Sequence, residues 1–543
     1  MNDIYVKKPG KNNFDLSHEV KMTGNMGNLY PCYIQDVIPG DSYKVDTQQL
    51  IRFSPMLAPM MHNVDFKLDY FFVPYRLVWD EWKDFITGGE DGNDLPSYPR
   101  FKVDGNFRDT YLTKGSLADY MGIPPHISSD NKAGAFNTSI TAGKEQYIDA
   151  LKFRAYQLIY HEYFRDQNVG TEYDQHTDSG IQSSHNDTLT LRKSNWQKDY
   201  FTSALPFLQR GGEVTLPLGG VAPLLYGNYS GTTSGDATML RDQFSSDPIG
   251  FKANSTPTFR TDSDSFLADF NVGGDPKYNI DVSKTHAADL SSATAATINE
   301  LRKASALQQW LELMARAGSR YREQIYAIFG ERIPDYTVQV PKYLGGGKTS
   351  IMVSEVLSTY EDKSVSNSRP AGDMYGHALG LGDGIGFTES FDEHGVILGL
   401  CRVIPKSSYV QGLSRFWQKF DKFDHYFPQF ANLGEQEVYN KEIFIDGNTD
   451  TDNTIFGYQQ RYAEYKYAEN RIAGDFRDTL AHWELSRRFA GSAPLLNQSF
   501  IECTPDTRIF AIEDEDEDKI WMQLYHKVNA VRPIPYFSNP SLT

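Results

Sequence analysis

From Asn63 to Val73 the chain alternates. Val64, Phe66, Leu68 and Tyr70 point one way, Asp65, Lys67 and Asp69 the other, and Phe71-Phe72-Val73 closes the run before Pro74. A period of two is the mark of a strand with one buried face. Two earlier segments read the same way. Tyr30 to Ile38 is apolar and aromatic and stops at the turn signal Pro39-Gly40-Asp41. Ser42 to Phe53 sets Tyr43, Val45, Leu50, Ile51 and Phe53 among polar residues, and Pro55 and Pro59 interrupt the chain just beyond it. After Gly347 strand signals return in Thr349–Leu357, Val396–Ile404, Glu437–Ile445, Arg508–Ile512 and Lys519–His526.

The period changes between these blocks. Val78, Trp82 and Phe85 recur at helical spacing within Leu77–Ile86, which Gly88-Gly89 ends. Tyr147–Arg165 carries Leu151, Ala155, Leu158, Ile159 and Tyr163 on one face. Ala293–Phe329 is the longest helical stretch, with a stripe of Leu301, Ala304, Leu307, Leu311 and Met314 and a break expected at Gly318. Two segments, Gln167–Ser194 and Gly227–Ser292, are rich in Ser, Thr, Asp, Asn and Gly. The longer one holds Phe251, Phe259, Phe266, Phe270 and Tyr278, enough to fold on itself or against a neighbour, so it reads as a surface insertion rather than a linker. Strands at both ends with helices and loops between them predict a mainly β chain, a β-sandwich with large insertions.

Composition bounds this picture. A length of 543 residues suggests about three or four domains, a prior that large β-folds with insertions break. With 40% hydrophobic residues the chain can bury a sizeable core, and its 33 Tyr and 33 Phe suit strands and subunit interfaces. The net charge of −18 is wrong for coating nucleic acid unaided, because neutralising phosphate takes Lys and Arg. Either nucleic acid is no partner, or a separate basic component meets it. Cys32, Cys401 and Cys503 supply neither a disulfide framework nor zinc spacing, which fits a reducing interior. The first residues lack the apolar stretch of a signal peptide and no window nears the ~20 apolar residues of a membrane span, so a soluble protein maturing in a cytoplasm is expected, with no membrane insertion.

Motifs point to no enzyme. Gly345-Gly-Gly-Lys348-Thr349 resembles a phosphate loop, but the earlier glycine is replaced by Lys342, and a glycine-rich turn is the reading preferred. Asp446-Gly-Asn448-Thr-Asp450-Thr-Asp452 resembles a calcium loop, yet the required Gly and Glu positions hold Thr451 and Gly457, leaving a polar loop. Glu513–Asp518 is a six-residue acidic run, read as a solvated turn, with a metal or a basic partner as the sharper alternative. There is no His-Glu-x-x-His, no close His-x-His and no Gly-x-Ser-x-Gly, so no catalytic, cofactor-binding or metal residue is assigned. Two stretches mix cations with aromatic rings: Arg415, Trp417, Lys419 and Lys422 in the first, Arg461, Tyr462, Tyr465 and Lys466 in the second. Rings that stack bases beside cations that meet phosphates are how single strands are held. The competing reading, which we favour, makes the rings core or interface residues with a cationic rim.

Asp69-Tyr-Phe-Phe-Val-Pro-Tyr-Arg-Leu-Val-Trp-Asp-Glu-Trp-Lys-Asp-Phe85 resembles the major capsid proteins of the Microviridae, in their gokushovirus-like branch. Phe14–His18, Val37–Asp41, Asn195–Pro206, Asp289–Leu301, Tyr343–Gly347 and Phe456–Tyr465 agree in the same order, so the likeness spans nearly the whole chain. It implies an eight-stranded viral jelly roll over residues 1–543 as a single capsid domain. Residues 1–90 would form an N-terminal arm and the first strands, 227–292 a surface insertion at the three-fold axes, 293–330 a helical insertion, and 349–543 the remaining strands and C-terminal segment. It further implies sixty copies in a T=1 icosahedral shell around circular single-stranded DNA, built in the cytoplasm of a bacterial host. Implied partners are a small basic DNA-binding virion protein, scaffolding and pilot proteins, and a host surface receptor reached by the insertion. The loops depart most from the family, Gly227–Ser292 above all, so host and receptor do not carry over. From another class, the acidity and aromatic content suggest a secreted polysaccharide-binding or polysaccharide-active protein, which predicts a signal peptide and a monomer. Another virion or tail component is the third reading.

Overall fold

The computed structural model describes residues 10–126, 146–172, 174–182, 186–212, 214–215, 298–359, 371–512, 514 and 516–537, with the backbone of short strands between 224 and 288. The chain divides into two compact units, one of residues 1–210 and 312–543 and one of residues 211–311.

The larger unit is built on one curled antiparallel sheet. Its strands are β1 (Asn12–Asp15), β2 (His18–Gly24), β3 (Tyr30–Val37), β4 (Ser42–Phe53), β5 (Val64–Pro74), β6 (Lys342–Leu357), β7 (Met374–Ser390), β8 (Gly395–Pro405) and β11 (Ile520–Arg532), while β9 (Glu435–Tyr439) and β10 (Ile455–Gln460) pair apart from it. The order across the sheet is β1-β11-β4-β7-β6-β5-β8-β3, and β2 joins the same edge of β11 as β1. β2 pairs with Ile520–His526 and β1 with Asn529–Arg532, so the two act as one strand interrupted at Leu16 and Ser17. Counted so, the sheet has the eight positions of a jelly roll, and the mainly β, sandwich-type expectation holds.

Alternation sets the faces. In β4 Tyr43, Val45, Ile51 and Phe53 are buried while Lys44, Gln48 and Arg52 are exposed; in β11 Ile520, Met522, Leu524 and Val528 alternate with exposed Trp521, Gln523 and Tyr525. The inward residues form the main core together with Val64, Phe66, Leu68 and Tyr70 of β5, the face their spacing predicts. β5 and β8 are covered on both sides. Phe71, Val73, Val396, Leu398 and Leu400 join a second core with helix α1 (Leu151–Ile159), which buries Leu151, Phe153, Tyr156 and Ile159. A third core gathers Tyr200, Phe201, Val438, Ile443, Phe456 and Phe500 beneath β9 and β10.

One polar cluster sits inside the main core. Cys32 O accepts from His526 Nε2 at 3.0 Å, which leaves Nδ1 to accept from Thr47 at 2.9 Å or from Tyr70 at 3.2 Å. Burial, and His18 beside it, lower the His526 pKa to about 4, so the ring stays neutral near pH 7.

Several expectations are corrected. The glycine-rich segment Gly345–Gly347 is not a turn; it lies within β6, at a bulge between Tyr343 and Gly345. A Cβ at Gly346 would stand 2.3 Å from Asp69 Oδ1 and 2.7 Å from Leu68 O, so glycine there permits close approach to β5. Arg508–Ile512 forms no strand, only an isolated bridge from Phe510 to Met56. Glu437–Ile445 is strand only to Tyr439; Asn440–Ile443 is a helical turn. Leu77–Ile86 yields a 3-10 turn at Tyr75–Leu77 and a short helix at Trp82–Thr87, and Tyr147–Arg165 begins as a strand, Gln146–Asp149, before α1. The long helical stretch resolves into α2 (Ile298–Ala317) and α3 (Tyr321–Phe329), broken at Gly318 with a φ of 102° as expected. In the smaller unit, Arg241–Asp242, Tyr278–Ile280, Ser265–Asp269 and Thr258–Asp262 pair into a four-stranded antiparallel sheet, in that order, and His286–Ala288 pairs antiparallel with Leu224–Tyr226; the rest of Gly227–Ser292 lies outside the described residues.

Candidate functional site

The two basic and aromatic stretches, about forty residues apart in sequence, come together in space. Arg461 Nη2 donates to Phe423 O at 3.1 Å and the Tyr462 hydroxyl to the same oxygen at 3.2 Å. The Tyr426 ring lies 5.2 Å from that of Tyr462 and 6.3 Å from that of Tyr465. Tyr462 holds a left-handed φ of 61°, costly for a bulky residue, and Gln436 Oε1 anchors its amide at 3.0 Å.

Most cations in this patch already have partners. Arg415 pairs with buried Glu442 at 3.3 Å and donates to Glu437 O at 2.5 Å. Lys419 is nearly enclosed, 3.6 Å from Glu464 and 3.5 Å above the Tyr465 ring. Lys466 donates to Gln460 at 2.6 Å, and exposed Lys422 lies 4.9 Å from the Phe423 ring. Phe420 is 90% exposed, Phe416 68%, Trp417 67% and Tyr465 54%, and with exposed Lys422 and Lys466 these rings are what the patch presents outward.

A second feature was invisible in the sequence. A cavity of about 520 Å³ is lined by Lys67, Arg165, Lys198, Arg316, Arg320 and Arg402 against only Asp166 and Glu323, with Tyr163, Phe164 and Trp196 in its wall. Arg402 is held by Asp69 at 2.6 Å and covers the Phe164 ring at 4.8 Å; Lys198 is held by Asp166 at 2.5 Å and Arg320 by Glu162 at 3.1 Å. The crowding tells on two of them. Burial and then the Arg320 charge lower the Arg165 pKa, and burial and then the Arg402 charge lower that of Lys67. Arg165 Nε and Trp196 Nε1 are buried without acceptors, the kind of orphan a bound anion or water would satisfy. The cavity continues the aromatic patch: Ser203 in its wall donates to the Tyr467 hydroxyl at 3.4 Å, and Arg316 is hydrogen-bonded to Glu435, whose neighbour across β9 and β10 is Gln460. Lys67 is on β5, Arg402 on β8, Arg165 and Lys198 in separate loops, and Arg316 and Arg320 on either side of the break at Gly318, so no local motif could have announced the cluster.

The other motifs resolve into ordinary structure. Asp446–Asp452 ties itself together, Asp446 Oδ1 accepting from Asn448 N at 2.7 Å and Asp452 Oδ1 from Asp446 N at 3.1 Å. In the acidic run, Asp518 accepts from Thr23 at 2.5 Å; Glu513 and Glu515 lie outside the described residues. No group of His, Cys, Asp and Glu among the described residues could hold a metal ion, and none of their helices is long and apolar enough to cross a membrane.

Residues 6–542 match the model of a family described as capsid protein (F protein). The chain belongs to that family. It is 34% identical to capsid protein VP1 of Chlamydia phage 1, covering 98% of this chain and 96% of the relative. Identity to VP1 of Bdellovibrio phage phiMH2K is also 34%, over 98% and 95%, and to VP1 of Spiroplasma virus 4 it is 29%, over 97% and 94%. These relatives place the chain with the Microviridae-type capsid proteins, as the segment Asp69–Phe85 implies. A capsid protein is a structural component of the virion and assembles with copies of itself. The exposed apolar side chains then make sense as a class: a subunit meant for a shell keeps surface that a solitary protein would bury.

Proposed function

We propose that sixty copies of this capsid protein form a T=1 icosahedral shell around a circular single-stranded DNA genome, assembled in the cytoplasm of a bacterial host. The observation carrying this reading is the family match over residues 6–542, with relatives matched along nearly their full length. Electron microscopy of particles from cells making the protein with its companion virion proteins tests it. Uniform small shells containing DNA are expected; a monodisperse monomer under every assembly condition overturns it.

In this reading the genome meets the cationic cavity around Arg165 and Arg402 and the patch beside it, with Trp417, Lys422, Tyr465 and Lys466 as the accessible contacts and Arg415, Lys419, Arg461 and Tyr462 as the frame behind them. The net charge of −18 leaves most phosphate neutralisation to a small basic virion protein, while scaffolding and pilot proteins serve assembly and delivery. The insertion 227–292 faces outward and engages the host receptor. Deleting 229–284 then spares shells and abolishes attachment; loss of shells assigns the insertion a structural role instead.

A further inference from the structure

The face of β5 turned away from the main core carries three cations in a row. Lys67 stands directly opposite Lys348 of β6 on one side and Arg402 of β8 on the other. Like charges at directly paired positions work against a sheet. Asp65 and Asp69 share this face but are already engaged. Asp69 takes Arg402 at 2.6 Å and Tyr343 at 3.2 Å; Asp65 takes Ser350 at 2.9 Å and lies 3.7 Å from Lys348. Lys67 is left with no hydrogen bond or ion pair among the described residues, and burial lowers its pKa.

The row runs into the cavity of about 520 Å³, whose wall includes both Lys67 and Arg402. Arg165 meets them there from a separate loop. Its Nη1 is spent on two carbonyls, Gly170 O at 3.2 Å and Thr171 O at 3.1 Å, and it forms no ion pair among the described residues. The rings of the wall are covered. Arg402 lies over Phe164 at 4.8 Å, Arg322 over Tyr163 at 4.7 Å and Arg487 over Trp196 at 5.1 Å. Tyr163 and Phe164 also pack on Phe71, at 4.7 and 6.0 Å between ring centres, and Trp196 is buried. A nucleotide therefore meets cations here but no open ring on which its base could stack.

We propose that this cavity is a phosphate seat blind to the base, in which Lys67 and Arg165 hold the backbone of a single strand beside an Arg402 fixed by Asp69. The inference rests on the genome reading and deepens it by separating two tasks. The cavity takes phosphate through placed charge; the patch around exposed Trp417 takes bases by stacking. The Lys348 side chain, 64% exposed, carries the row out of the cavity onto open sheet, so the ligand it suits has its charges in a row too. A phosphate backbone has that form. An acidic peptide could meet the cations but has no use for the exposed rings beside them, whereas a strand uses both.

Two strands and three variants test this on the full-length protomer at low salt. The strands are an oligothymidylate and an abasic deoxyribose-phosphate chain of equal length. Lys67→Gln should weaken binding of both by the same factor, at least ~3-fold, and Lys67→Arg should restore both. Trp417→Ala should weaken the oligothymidylate alone. Lys67 has no partner to lose, so Lys67→Gln should melt within ~2 °C of the parent. Inorganic tripolyphosphate that displaces the abasic strand adds free polyphosphate to what the seat accepts; abasic binding that resists it confines the seat to the strand backbone. Parental affinity of Lys67→Gln for the abasic strand, or a loss confined to the oligothymidylate, overturns the proposal. Poly-glutamate that displaces the abasic strand where tripolyphosphate does not overturns it in favour of an acidic peptide. Parental shells empty of DNA refute the genome reading and this inference together; DNA-filled parental shells with unaltered strand binding by Lys67→Gln refute the inference alone.

Discussion

Replacing Arg415 by Met separates a structural from a nucleic-acid role for this residue. Glu442 is 2% exposed, and its carboxylate accepts from Tyr200 OH and Tyr439 N, each at 3.0 Å, and from Arg415 at 3.3 Å. Arg415→Met leaves that carboxylate buried without its cation, a change that costs about 3–5 kcal/mol. At about 2.1 cal/mol/K per residue, 543 residues unfold with about 1.1 kcal/mol/K, so Tm should fall by about 3–4 °C if the chain melts as one unit, and further for a smaller unit. The loss should depend on pH. Burial already holds the Glu442 pKa above the usual range and Arg415 opposes it, so removing Arg415 raises it further. An acid whose folded pKa exceeds its unfolded value, about 4.3, binds more protons when folded, and stability falls as pH rises from there through the folded pKa. The deficit should therefore be large at pH 8 and shrink towards pH 5. Differential scanning fluorimetry at both pH values, with Arg415→Met/Glu442→Gln as the rescuing pair, measures it. Unchanged melting at pH 8 with weakened DNA binding would refute the argument and make Arg415 a phosphate contact.

Three further outcomes are expected. Lys67→Gln and Arg165→Gln, read by anisotropy with a single-stranded oligonucleotide, should each lower the slope of log K against log salt by about 0.7 per lost phosphate contact, and an unchanged slope excludes the cavity. Gly386→Ala would put a Cβ 1.9 Å from Val45 O, forcing β4 and β7 apart at a cost of at least about 3 kcal/mol, so soluble yield should collapse; parental yield and Tm contradict this. His526, neutral down to about pH 4 in the fold but titrating near 6.5 unfolded, should draw stability away as pH falls from about 6.5 to 4; imidazole NMR shifts titrating near 6.5 in the native protein would refute that sign.

What was legible depended on how regular the local signal was. β4, β5 and β8 declare themselves because each keeps a buried face over ten or more residues, and Gly318 breaks the long helix where expected. β7 went unseen because Gly376, Gly380, Gly382, Gly384 and Gly386 imitate a loop, when Gly386 is required by the backbone of β4 beside it. The aromatic stretches were visible, but not that Arg415 and Lys419 are spent on Glu442 and Glu464. The cationic cavity had no sequence signal, since only the fold brings Lys67, Arg165, Arg316 and Arg402 to one place.

The first two strands of the sheet need one that the ribosome makes long after them. β1 and β2 have β11 as their partner, and β11 lies between them and β4, so the N-terminal segment waits unpaired until residues 520–532 have been made. A chain cut short before β11 forfeits one wall of its core, because Ile520, Met522, Leu524 and Val528 are missing from it. Translation thus carries its own inspection: a prematurely ended product cannot close, and what cannot close offers no surface on which a neighbour could settle.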